Sequence, residues 1–290
     1  MSLNKQVWIN QIKEKFYPDS SFLNVVKNMS ALVDNDKINL AEAGLDPEVL
    51  INNNTYPIRI DKRIDTSITI ELDLFETTNT IVRRPEVIEY AYDQLESVLR
   101  GHRNSLRIKT ATKAAHAFAP AEDSVNTPII ETNGEITSGR KKITFSDIIE
   151  LKRRFDDADI PLEDRYLILN PNHVTDLLEA DLKLFKNLTN TASGAVFNFA
   201  GFNLLQFSKT PKYKKNGEKW VKAGFEAEDG TNFCSFAFHA DEVMRADGEI
   251  HMYSKENDPE QRGTIVGFDK RFIAMPIRNI ALGAIVSSNA

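Results

Sequence analysis

Between Ile58 and Leu74 the chain alternates with period two. Even positions carry Ile58, Ile60, Ile64, Ile68, Ile70, Leu72 and Leu74, while Arg59, Asp61, Arg63, Asp65, Glu71 and Asp73 fall on odd ones. This pattern marks extended strand with one apolar face, and it predicts a long hairpin turning near Asp61 to Thr66. A two-stranded ribbon is marginal alone in water and an open apolar row invites aggregation, so another surface has to cover it. After Arg83-Arg84-Pro85 the period changes. Apolar residues at Ile88, Ala91, Tyr92, Leu95, Val98, Leu99 and Leu106, continuing weakly to Ala114, Ala115 and Phe118, predict one helix of up to about nine turns. Pro85 suits its first turn and Pro120 closes it. Glu86 and Glu89 near its start, and Arg100, Arg103, Arg107, Lys109 and Lys113 later, match the helix dipole. Gly101 costs roughly 1 kcal/mol against Ala in mid-helix, which marks the place for a kink.

Upstream, helical spacing from Leu3 to Phe16 and from Phe22 to Met29 is interrupted by Pro18 and Asp19 and followed by the linker NLAEAGLDPEVLINNN. That is too little apolar surface for a separate core, so this arm must pack on the body or on a neighbouring copy. Downstream, Ala121 to Lys142 is rich in turn formers and reads as a surface loop at a lobe boundary. A helix from Asp147 to Phe155, capped by Thr144 or Ser146, is followed by a strand from Tyr166 to Leu169. A second helix follows Asn170, with Asn as cap and Pro171 as first residue. Further strands are expected at Phe202 to Phe207 and Asn232 to Phe238, with a helix or turn at Ala240 to Arg245. The closing region reads as strands split by the polar turn Lys255 to Gly263.

With 290 residues and 41% apolar content the chain can bury a sizeable core in two lobes or one extended domain. Its formal charge of -6 and pI near 5.5 lack the basic excess of a dedicated nucleic-acid binder, leaving only local patches for phosphate. Those patches are Arg83-Arg84, Arg140-Lys141-Lys142 and Lys212-Tyr213-Lys214-Lys215. The one cysteine, Cys234, excludes an internal disulfide and a multi-cysteine metal site and fits a reducing interior. MSLNKQVWINQIKEKF has no uninterrupted apolar stretch of a secretory leader, and no run approaches the ~18 apolar residues of a membrane span. A soluble intracellular product with no membrane partner is expected.

Cys234 and His239 are the natural nucleophile and base, but a separation of five along one strand points them to opposite faces. Asp156, Asp157 and Asp159 lack the glycine and terminal glutamate of a calcium loop and read as a solvated turn before Pro161. His173 opens a helix, and the histidines have no zinc-ligand spacing. Gly194, Gly201 and Gly217 do not follow a strand at phosphate-loop spacing. No catalytic residue, cofactor or metal is expected.

The densest stretch runs from Ile143 to Leu178. Its core, "RRFDDADIP…DRYLILNPNHVTDLL", resembles the tailed-bacteriophage major capsid proteins, as does the tail FAFHADEVMRADGEIHMYS followed by GTIVGFDKRFIAMPIRNIALGAIVS. The order of arm, alternating ribbon, long helix, mixed lobe and closing strands is similar to the same family across the chain. The resemblance implies an α+β, HK97-like fold. In it, residues 1–49 form an N-terminal arm, 50–84 an extended loop, 85–120 the spine helix of a peripheral domain, 121–254 an axial domain, and 255–290 closing strands that return to the peripheral domain.

It also implies a structural protein that assembles with itself, as pentamers and hexamers, into an icosahedral shell around double-stranded DNA touched only weakly and non-specifically. The ribbon and arm would then be covered by sister copies. A separate scaffold protein and a portal are possible partners, and the place of the chain would be the virion, with assembly in the host cytoplasm. Some members of the family link a loop lysine to an asparagine of a neighbouring peripheral domain. Lys62 and Asn279 fall in the matching regions, but such residues occur there in any chain and no cross-link is expected. An encapsulin-like compartment shares the fold, and a reading of another class is a small α+β enzyme built around His239, Asp241 and Glu242.

Overall fold

The computed structural model describes residues 22–42, 57, 66–83, 94–180, 189–190, 195–196, 198–227 and 230–289. The first half holds strands β1 (Lys27–Asn28), β2 (Val33–Asp34), β3 (Lys37–Glu42), β4 (Thr66–Glu71), β5 (Asp73–Glu76) and β6 (Thr80–Arg83), then helix α1 (Gln94–Phe118). Strands β7 (Ile129–Glu131), β8 (Ile136–Thr137) and β9 (Arg140–Lys141) lead into helix α2 (Phe145–Asp157), strand β10 (Arg165–Leu169) and helix α3 (Pro171–Ala180). Short strands β11 (Thr189–Asn190), β12 (Ala195–Val196) and β13 (Asn198–Phe199) precede β14 (Phe202–Gln206), β15 (Lys212–Asn216), β16 (Lys219–Lys222) and β17 (Asn232–His239). The long hairpin β18 (Val243–Asp258) and β19 (Gly263–Pro276) and the strand β20 (Leu282–Val286) complete the chain.

The larger sheet is built around β17, NFCSFAFH, antiparallel to β10 on one side and β20 on the other, with β14 beyond β10 and β7 beyond β20. Such a strand, apolar on both sides, belongs between two layers. Cys234, Phe236 and Phe238 turn toward Ala111, Ala114, Ala115 and Phe118 of α1. Ala237 turns the other way, toward Ile148, Leu151 and Phe155 of α2. Gly283 of β20 allows that approach, because a Cβ there would lie 2.8 Å from the Phe155 ring and 2.9 Å from Leu151.

The smaller sheet is the β18–β19 hairpin with β1, β5 and β6 at its sides. On one face α1 sets Leu99 and Leu106 against Met252, Val266 and Phe268. On the other lies the sheet β2–β3–β4, whose root packs Ile38 and Leu72 against Ala246. The sequence boundary at residue 254 falls inside β18, and β20 pairs in the larger sheet.

Several expectations are corrected here. The helix expected from Phe22 to Met29 is a single 3-10 turn, Phe22–Val25, followed by β1, because Phe22 is drawn into the core against Phe118, Phe207 and Phe236. The linker expected from Asn39 begins as strand, since Lys37–Glu42 is the antiparallel partner of Thr66–Glu71. The ribbon's partner strand therefore lies upstream of Ile58, and Thr66 belongs to a strand rather than to a turn. Leu72 is buried on its own body, so that position of the alternating span is not left for sister copies to cover, whereas Leu74, on the strand that pairs with β19, stays exposed. The loop expected from Ala121 to Lys142 contains β7, which joins the core sheet, and the β8–β9 hairpin.

The helix predicted after Pro85 is present as α1, continuous through Gly101 to Phe118. Pro85, the pattern Leu3 to Phe16, Lys62 and the expected turn near Asp61 lie outside the described residues. Thr144, rather than Ser146, caps α2 in a reciprocal box. Its hydroxyl accepts from the Asp147 amide, while the Asp147 carboxylate accepts from the Thr144 amide at 2.7 Å. Asn170 caps α3 by accepting from the Asn172 amide at 3.0 Å.

Two glycines give opposite expectations. Gly101 is exposed, with open space where a methyl group would stand, so Gly101→Ala raises stability by about 0.5–1 kcal/mol. Gly283→Ala lowers it by about 1–3 kcal/mol through overpacking. Denaturant midpoints at constant slope check both signs, and a raised midpoint for the second variant contradicts the packing.

Candidate functional site

Of the enzyme-like candidates, His239, Asp241 and Glu242 share one cavity, while Cys234 lies five residues back along β17 on its other face. Cys234 is wholly buried among aromatic side chains, and burial pushes its thiol well above the ordinary range, so no thiolate is available to attack. His239 lies on the opposite face of β17, where its Nδ1 accepts from the Asp241 amide at 3.3 Å and caps the 3-10 turn Ala240–Glu242. A cavity of about 400 Å³ gathers His239, Asp241, Glu242 and Arg278. Glu242 is clasped by the Arg278 guanidinium, with Nε at 2.9 Å, and among the described residues the lining holds no serine, threonine, cysteine or lysine.

The acidic turn is tied down by cations. Asp156 pairs with Lys152 and with Arg165 at 2.8 Å, Asp157 pairs with Arg153 at 2.7 Å, and Asp159 turns the backbone in the left-handed region at φ 54°. Among the described residues no three His, Cys, Asp or Glu side chains converge on a metal position. Arg165, which no pattern in the sequence singles out, is fully buried. Its guanidinium donates to the carbonyls of Pro161, at 2.7 Å, and Ile160 and lies 5.7 Å from the Phe155 ring. The "DDADIP…DR" run is thus a helix stop fastened by the arginine of the next strand.

His173 is buried between two hydroxyls, Ser235 Oγ at 2.6 Å from Nδ1 and Ser287 Oγ at 2.8 Å from Nε2. Burial lowers its pKa to about 3 against the partly offsetting field of Asp176. Beside it Arg140 grips Asp176 with two hydrogen bonds of 2.6 and 2.8 Å. Lys141 reaches Glu131 at 3.2 Å and Lys142 reaches Glu179 at 2.6 Å. The basic run Arg140-Lys141-Lys142, a sequence candidate for phosphate contact, is thus engaged by carboxylates of the fold. Burial pushes the Glu131 carboxyl up, but hydrogen bonds from Ser288, Lys215, Lys141 and Trp220 outweigh it and hold the pKa at about 2.

The third basic run is divided. Tyr213 is buried and donates to the Pro120 carbonyl at 2.5 Å, Lys215 pairs with Glu131 at 3.1 Å, and Lys214 stands exposed. Lys222, opposite Tyr213 on the hairpin, donates to the carbonyls of His116 at 2.9 Å and Ala119 at 2.7 Å, capping the end of α1 with a positive charge. His116 donates in turn to the Ala223 carbonyl at 2.9 Å. Gly201 follows Ala200 in the two-residue turn of β13–β14, both at positive φ, and Gly217 opens the two-residue turn of β15–β16. Both glycines serve hairpins. Gly194 and Arg84 lie outside the described residues, Arg83 ends β6, and Asn279 is exposed between β19 and β20.

No protein-family model matches the chain, and neither does any curated protein. Solved structures do. The chain is similar to the capsid of cyanophage P-SCSP1u at 14% identity and TM-score 0.68, over 94% of this chain and 90% of that one. It is similar to the capsid of Ralstonia phage GP4 at 9% identity and TM-score 0.65, over 92% and 87% of the two chains. The head of Helicobacter pylori bacteriophage KHP40 matches at 12% identity and TM-score 0.63, over 94% and 91%. The fold is therefore the α+β, HK97-like fold of phage capsid proteins.

The His173 cluster makes stability depend on pH. The imidazole titrates near 6.5 when unfolded and near 3 when folded, so its contribution is complete above pH 6.5 and is lost as pH falls toward 3. One such group costs about 1.4 kcal/mol per pH unit in that window, or roughly 2 kcal/mol between pH 6.5 and 5. Glu131, ionised in both states above about pH 5, adds its own loss only below that. Urea titrations at pH 7 and 5 read the fall. His173→Gln flattens it, and an unchanged slope in that variant rejects the assignment.

Proposed function

We propose that the chain is the major capsid protein of a tailed bacteriophage or prophage, assembling as pentamers and hexamers into an icosahedral shell around double-stranded DNA. The supporting observation is the extent of the structural likeness, which takes in nine-tenths or more of both chains for the cyanophage and Helicobacter phage structures. What is shared is a whole shell subunit and not one embedded segment.

In this reading residues 1–49 are the arm, 50–84 the extended loop and 85–120 the spine helix; the axial domain begins at 121 and ends where β18 begins, at Val243 rather than at 254, the β18–β19 hairpin serves the peripheral domain, and β20 returns to the larger sheet. Large apolar side chains exposed on the single chain, among them Leu32, Leu74, Ile136, Ile149 and Leu162, are available to be covered by sister copies. At ~25 cal/mol per Å² of apolar area, many modest contacts per copy outweigh the entropy lost on association. The chain performs no catalysis. Assembly takes place in the host cytoplasm, where a separate scaffold and a portal are possible partners, and the product resides in the virion.

Negative-stain microscopy of purified protein, alone or with its scaffold, is expected to show capsomers or closed particles. A strictly monomeric species at high concentration under both conditions rejects the proposal. Denaturing electrophoresis of the particles is expected to give a single band, since no loop-to-domain cross-link forms.

A further inference from the structure

Asn-Gly occurs twice in the chain, at Asn133-Gly134 and at Asn216-Gly217. Such a pair has a reactivity of its own, because no side chain on the glycine hinders its backbone nitrogen from approaching the carbonyl carbon of the asparagine side chain. Both asparagines are exposed, so exposure alone does not separate the two pairs. The backbone amide of the following glycine does.

At the first pair that amide is committed. Gly134 donates to the Lys142 carbonyl at 3.0 Å, and Lys142 donates back to the Glu135 carbonyl at 3.0 Å. The Asn133 amide donates at 3.4 Å to the Asp147 carboxylate, the same group that closes the cap of α2. A Cβ on Gly134 would lie 2.5 Å from the Lys142 carbonyl oxygen, so this stretch is packed as well as bonded.

The second pair stands at the tip of the β15–β16 hairpin. Asn216 and Lys219 are its last paired residues, and Gly217 and Glu218 make the turn. Gly217 has φ 64°, the positive value required at the first central position of a type II′ turn, and there is open space where a Cβ would stand. Its amide donates to no backbone carbonyl among the described residues. Every residue from Lys214 to Lys219 is exposed.

We propose that Asn216 is a site of spontaneous covalent modification, converted to isoaspartate and aspartate while Asn133 is spared. The Gly217 nitrogen gives its proton to water and attacks Asn216 Cγ. The new C–N bond closes a cyclic imide, and the side-chain nitrogen takes up a proton and leaves as ammonia. Water then adds to one of the two imide carbonyls. Breaking the bond to Cγ gives aspartate in a normal backbone, and breaking the bond to the main-chain carbon routes the backbone through Cγ as isoaspartate. No electrons are exchanged, and water is the sole co-reactant. The positive charges of Lys214 and Lys219 on either side favour the anionic nitrogen that attacks. The product adds a negative charge to a lysine-rich tip. Below it the hairpin is held by Tyr213 on the Pro120 carbonyl and by Trp220 on Glu131 at 3.2 Å, so the change stays at the tip. This chemistry is independent of what the chain assembles into.

The full chain is incubated in mildly alkaline buffer, folded and in urea, and digested with chymotrypsin to release the peptide between Tyr213 and Trp220. Mass spectrometry follows the change from amide to acid. An isoaspartate O-methyltransferase with a labelled methyl donor marks the isoaspartate. In the folded chain Asn216 is expected to convert at least about tenfold faster than Asn133, whose reaction has to break hydrogen bonds that the hairpin tip does not hold. In urea, where neither glycine amide is held, the ratio is expected to fall toward one. Asn216→Gln, whose longer side chain closes a ring slowly, is expected to leave that peptide unlabelled. Equal rates in the folded chain, faster conversion at Asn133, or an Asn216 that reacts in urea but not when folded overturns the proposal. So does label between Tyr213 and Trp220 in the Asn216→Gln chain. The rate ratio is read on the unaltered chain and stands whether or not the variant folds.

Discussion

A strand that is apolar on both sides is stable only between two layers, and β17 imposes that condition on the larger sheet. Phe236 and Phe238 require a helix on one side, and Ala237, beside Gly283, admits another close in on the other. The long α1 and the shorter α2 supply those layers. The single turn at Phe22 closes the remaining gap with aromatic edges against Phe118, Phe207 and Phe236. Because interiors are close-packed, the position of each layer follows from the side chains of the strand beneath it.

The polar groups taken into this interior sit where elements meet. Arg165 fastens the end of α2 to the start of β10, Lys222 fastens the end of α1 to the β15–β16 hairpin, and His173 joins α3 to β17 and to the residues after β20. An unsatisfied buried donor or acceptor costs about 1–3 kcal/mol. Displacing any one of these joints therefore carries a penalty that hydrophobic contacts, which tolerate sliding, do not impose. Apolar burial supplies cohesion, and these groups fix the relative placement of the elements.

Elements defined by local chemistry were legible in the sequence. The stop at Pro161, the strand up to Leu169, the cap at Asn170 and the helix opened by Pro171 each follow from neighbouring residues, and the structure has them at those places. The choice between Thr144 and Ser146 needed the geometry of the carboxylate of Asp147. What escaped was pairing across long separations. Lys37–Glu42 has no strong alternation of its own and becomes a strand because Thr66–Glu71 offers it an edge. Ile129–Glu131 lies among turn formers and is strand because β20 lies beside it. The three basic runs are alike as sequence. Only their partners show that Arg140 serves Asp176 while Lys214 stands exposed.

α1 packs along β19, β5 and β6 and continues past them onto β17. A single uninterrupted helix of 25 residues, about 37 Å long, therefore bridges both sheets as a strut. Strain applied where the ribbon is rooted, at β5 and β6, passes down that strut into the aromatic centre of the other lobe with no hinge between them. In a shell of the proposed kind, differences in curvature from one lattice position to another would be absorbed outside the strut, in the limbs that leave it.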